Sequence, residues 1–150
     1  MALDATLAYL HFLAIFGLFA ALSMEAVLLR PALIASAGRW ILRVDLAYLL
    51  TAILALASGL SRAIWGIKGW AYYAHNPVFH TKLGLFALVA LMSLAPTRLF
   101  LRWTRGFRDQ PHYAVAPAEL KRARRFVMLE LHLLLLLPVC AVMMARGLSF

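Results

Sequence analysis

Four long apolar runs, parted by short polar or basic stretches, constrain this chain more than any other feature of its sequence. Crossing the hydrocarbon core as a helix takes about 20 residues, each rising about 1.5 Å. Four segments reach that length, at about 5–29, 44–65, 77–101 and 126–145. Lipid offers backbone groups no hydrogen-bond partners, so a helix is the expected structure for each. The fold class that follows is all-α: a single membrane domain over residues 1–150, built as an integral membrane four-helix bundle. Pro96 and Pro138 fall inside the third and fourth runs and predict kinks there. Asn76-Pro77 reads as an N-cap followed by proline at the first helical position. The composition agrees: 65% of residues are hydrophobic and 14% charged, against about half and about a quarter in soluble domains.

The N-terminal run lacks a basic leader and exceeds the apolar core of a signal peptide, so it is expected to be retained as a helix. The lone cysteine, Cys140, leaves no intramolecular disulfide to form. A net charge of +9 would suggest nucleic acid in a soluble protein, but its distribution here points to topology. Eleven of the 15 lysines and arginines fall in the first and third connections, mostly in a basic loop at about 102–125. Positive residues stay cytoplasmic, which places both termini on the non-cytoplasmic side. Trp65, Trp70, Tyr72 and Tyr73 are expected at the outer interface, and Trp40 and Trp103 at the inner one. The bilayer is thus the expected partner and nucleic acid is not.

Ionisable side chains at membrane depth are costly and mark candidate sites. They sort into two layers. The outer layer holds His11, Arg62, His80 and Lys82. His80 and Lys82 lie about 200° apart on their helix, so only one can face the bundle interior. The bland alternatives are a core histidine bonded to a serine or carbonyl on another helix, and Lys82 and Arg62 snorkelling outward. The inner layer holds Glu25, Arg43, Asp45, Glu130 and His132. Glu25 follows His11 by fourteen residues and shares its helical face, while Glu130 and His132 diverge. Two carboxylates and Arg43 at one level would make a charge-paired network, with a helix-pairing clamp as its plainest role. His112 follows Pro111 in the basic loop and is expected to be solvated.

The motifs also carry a likeness. The first run opens with Leu10-His11 and ends in Glu25-Ala26-Val27-Leu28-Leu29-Arg30. The third opens with Phe79-His80-Thr81-Lys82-Leu83-Gly84-Leu85, and the fourth with Arg125-Phe126-Val127-Met128-Leu129-Glu130. Over nearly its full length the chain resembles a family of small bacterial inner-membrane proteins of unknown function. That family is similar to the HemJ-type protoporphyrinogen oxidases and, more distantly, to the CopD membrane domain. The resemblance implies heme b, with His11 and Lys82 as iron ligands and Glu130 at the acidic position of the fourth helix. The first-run segment Phe12-Leu13-Ala14-Ile15-Phe16-Gly17 lacks the Trp-x-x-Gly common in those relatives. His132 also stands where they carry an apolar residue or proline.

A lysine ligates iron only as its neutral amine, which demands a desolvated pocket. Arg62, at the same depth, suits a heme propionate. His80 is the other candidate for the cofactor, and Glu25 or Glu130 would carry protons or meet a quinone. The leading expectation is a heme-b-binding redox protein of the bacterial inner (plasma) membrane, acting as a porphyrinogen oxidase or an electron carrier. A non-catalytic accessory subunit of a larger membrane complex, or of a homo-oligomer, is the alternative. A small metal-ion transporter using His11, His80 and His132 is the third.

Overall fold

The computed structural model describes residues 2–147, and helices account for nearly all of them. α1 spans Ala2–Leu28, and α2, Pro31–Ala37, starts with its proline in the first turn. One 3-10 turn, Gly38–Trp40, joins α2 to α3, Ile41–Trp65. α4, Gly69–Ala74, is a short cap before α5, Pro77–Asp109. α6, Pro117–Leu134, and α7, Leu136–Ala145, complete the chain. Four stretches are long and apolar enough to cross a membrane: Ala2–Leu28, Pro31–Trp65, Pro77–Asp109 and Pro117–Ala145. Among the described residues the bundle is therefore all-helical, with four rods capable of spanning a membrane.

The two prolines behave differently. Pro138 lacks the N–H that would bond the Leu134 carbonyl, and the helix breaks at Leu135, separating α6 from α7. Pro96 is buried inside α5, which runs on without a break. Asn76 caps α5 as its sequence implies, its Oδ1 accepting from the backbone N–H of Val78 at 2.9 Å and of Phe79 at 3.4 Å.

The rods extend beyond the apolar runs. The expected loop at 102–125 shrinks to residues 110–116, because α5 continues to Asp109 and α6 begins at Pro117. Over that extension Phe100 and Trp103 are fully buried and Phe107 is half-buried, while Arg98, Arg102, Arg105 and Arg108 are exposed. An amphipathic stripe thus replaces the loop. Trp103 is a correction to the interfacial role expected for it: it lies in the core, and its Nε1–H donates to Glu119 Oε2 at 3.0 Å.

α1 packs along α3, α5 packs on α6 and α7, and α1 meets α6. Gly17 sets the closeness of the first pair, since a Cβ there would stand 2.9 Å from Thr51 Cγ2. The start of α1 and the end of α7 lie at one end of the bundle, because Asp4 sits against Gly66 and the Met144 carbonyl accepts from Lys68 Nζ and Tyr72 Oη. Toward the opposite, basic end Leu29, Ile41, Phe100, Trp103 and Ala123 are buried in the core. Beyond the break at Leu135, the end near the termini is looser, and a cavity opens there.

Candidate functional site

α1 and α3 supply one wall of that cavity, and α5 and α7 the other. Its volume is about 450 Å³, within the usual size of small-molecule and cofactor sites. His11 and Lys82 both line it, and the remaining wall is apolar, with Phe12, Phe16, Phe19, Phe79 and Phe86 contributing flat faces. Phe12 and Phe16 on one side and Val142 on the other are exposed, so the cavity opens sideways between α1 and α7.

His11 is buried, and its Nδ1 lies 2.9 Å from Ser58 Oγ on α3. Ser58 already donates its single proton to the Leu54 carbonyl, at 2.6 Å. Its hydroxyl therefore accepts from His11, which assigns the proton of the neutral ring to Nδ1. Nε2 then carries a free lone pair and has no protein partner among the described residues. Gly59 makes room for the ring, because a Cβ there would stand 3.0 Å from His11 Cε1. The core-histidine reading and the ligand reading are thus compatible. One nitrogen is tied to a serine on another helix, and the other is open.

Lys82 makes no hydrogen bond or ion pair among the described residues. Its chemistry is that of an amine in an apolar wall with no carboxylate to neutralise it. Arg62 stands within electrostatic range of both His11 and Lys82. It does not line the cavity, and its buried Nε has no partner among the described residues. His80 turns elsewhere: its Nε2 is bonded to the Ala74 carbonyl at 2.9 Å, and the residue is exposed. The geometry selects Lys82 over His80.

The inner layer also assembles, in a different form from the one expected. Glu25, Asp45 and Glu130 are buried, with Tyr48 beside Glu25 and Glu130. Thr97 Oγ1 donates to Asp45 Oδ1 at 2.9 Å. Glu25 Oε1 and Glu130 Oε1 have no hydrogen-bond partner among the described residues. Arg43 is a correction: it stacks on the Trp40 ring at 4.3 Å and joins no charge-paired network. The ion pairs among the described residues are Arg102–Glu119 and Arg108–Asp109, both outside this layer. His132 is exposed and bonded to its own helix at the Met128 carbonyl, so Glu130 is the inward group. Three buried acids with no cation paired to them among the described residues do not form the charge-paired clamp expected of this layer.

Ser58 and Gly59 are the site residues that pattern reading missed. A serine and a glycine on an apolar helix look like ordinary small packing residues until the facing imidazole is placed.

The donor set fits a heme. An imidazole with one nitrogen held and one free, an uncommitted amine and flat apolar walls occur together, with an orphaned guanidinium N–H close by. The chain belongs to the family described as predicted membrane protein, DUF2214, whose model matches residues 3–149. No curated protein and no solved structure matches it. The family description carries the membrane assignment and no activity.

Proposed function

We propose that this chain is a heme-b-binding redox protein of the bacterial inner membrane. The observation that carries the reading is the presence of His11 and Lys82 in the wall of one apolar cavity. The likeness to HemJ-type oxidases points to the same two positions but is not repeated by the comparisons, so the cavity bears the weight. His11 would hold the iron through Nε2, with Ser58 fixing the ring, and Lys82 would hold it through its neutral amine. Arg62 would take a propionate. His80, committed to the Ala74 carbonyl, drops out of the cofactor set.

Bound heme b supplies one-electron transfer at iron. The chain's own part is to orient, to exclude water and to carry protons. The phenylalanine walls would keep water from the ligands, and a lipid-soluble partner, a quinone or a porphyrinogen, would reach the heme edge through the lateral opening. Glu130, one turn from Leu134 in the cavity wall, would give or take a proton when such a partner is reduced or oxidised, with Glu25 beyond it in the same buried acid cluster. The excess of basic residues at the far end supports a cytoplasmic placement for that end. The cavity and both termini would then face the non-cytoplasmic side.

The test is a pyridine hemochrome assay on protein purified in detergent from heme-replete cells. Stoichiometric heme b is the expected result, and protein that stays heme-free would defeat the proposal. Rescue of a strain lacking its protoporphyrinogen oxidase separates the two forms of the reading. Rescue favours the oxidase, and its failure leaves an electron carrier.

A further inference from the structure

A second concavity lies at the opposite, basic end of the bundle. It is a groove of about 1010 Å³ between the α1–α2 junction and α6, closed on one side by the segment before Pro117. Its floor is apolar, with Leu29, Ile34 and Leu120 buried in it. Its rim is cationic. Lys121, Arg124 and Arg125 all line it and are exposed, and no acidic side chain does. At i, i+3 and i+4 these three share one face of α6. The nearest acid in sequence, Glu119, is already taken by Arg102 and Trp103. None of the three basic groups makes an ion pair among the described residues.

We propose that this groove binds an anionic phospholipid, with the phosphate on Lys121, Arg124 and Arg125 and an acyl chain along the apolar floor. The charge pattern sets the headgroup: guanidinium pairs grip phosphate oxygens bidentately, and basic pockets at membrane depth favour anionic lipid. The length sets the chain. From Lys121 to His132, the deepest lining residue on α6, the helix rises about 16 Å. That is close to half of a core about 30 Å thick, the reach of one leaflet. The site is independent of the heme reading, because it lies at the other end of the bundle and shares no lining residue with that cavity.

The experiment is native mass spectrometry of the detergent-purified full chain, titrated with dioleoylphosphatidylglycerol or dioleoylphosphatidylcholine. One phosphatidylglycerol should be held about tenfold more tightly than phosphatidylcholine. The triple variant Lys121→Gln/Arg124→Gln/Arg125→Gln should abolish that preference. Arg39→Gln/Arg98→Gln/Arg105→Gln, which removes the same charge outside the groove, should keep it. Equal loss in both triples would overturn the site in favour of a diffuse basic surface. Displacement of the lipid by equimolar glycerol 3-phosphate would overturn it too, as a headgroup site with no chain. Should the groove triple fail to fold, Met128→Trp fills the floor and leaves every charge in place. Binding must weaken in that variant, and undiminished binding would refute the proposal.

Discussion

His11 and Ser58 are joined across the α1–α3 interface at 2.9 Å, and that contact decides which imidazole nitrogen is free. Partners of this kind behind a metal-binding histidine fix the ring and tune its basicity. Ser58→Ala should therefore weaken heme binding by about 10–100-fold while leaving the chain folded. Heme titration of the apo variant measures it, and an unchanged affinity would remove the serine from the site.

Gly59 is the second support. Its missing Cβ leaves the space that His11 Cε1 fills, since a Cβ there would stand 3.0 Å away, closer than ordinary van der Waals contact. Gly59→Val should push the ring off its place, destabilise the bundle by about 1–3 kcal/mol and lose heme. Thermal unfolding in detergent, read beside the heme content, checks both effects.

How much of this was legible beforehand depends on what each pattern encodes. The fourteen-residue spacing from His11 to Glu25 fixes a shared face, and both are buried. The Asn76-Pro77 cap is local chemistry, and it forms as written. Divergence of His80 from Lys82, and of His132 from Glu130, is also local. Which member turns inward depends on neighbouring helices, so spacing alone left the choice open. Hydropathy reports where lipid is tolerated and says little about where a helix stops. The arginine-rich end of α5 therefore reads as loop by hydropathy, although Phe100, Trp103 and Phe107 recur at helical spacing. Depth alone pairs Arg43 with the acids, but Trp40 lies three residues back on the same face and takes the guanidinium.

The buried acids make a prediction that separates chemistry from folding. Glu25 and Glu130 have no ion pair among the described residues for glutamine to break. Glu25→Gln and Glu130→Gln should change stability by no more than about 1 kcal/mol. If they carry protons for a bound quinone or porphyrinogen, turnover falls by about 10²-fold with the heme spectrum unaltered. Full turnover in both variants would reduce the cluster to a packing feature.

Trp103 ties the extended end of α5 to α6 through Glu119. Trp103→Phe keeps most of the buried ring and deletes the N–H. A loss of about 1.5–3 kcal/mol is expected, the range for hydrogen bonds to charged groups. Glu119 is partly exposed, which favours the lower end. Denaturant or thermal unfolding of the variant reads it, and a loss near zero would mean that water replaces the bond.

His11 and Lys82 are proposed to hold one heme between them. The direct test is to add heme b to the apo protein in detergent and record the Soret band for wild type, His11→Ala and Lys82→Met. A saturable one-to-one band is predicted for wild type, absent in His11→Ala and shifted in Lys82→Met. No Soret band in wild type, or the same band in all three, would contradict it.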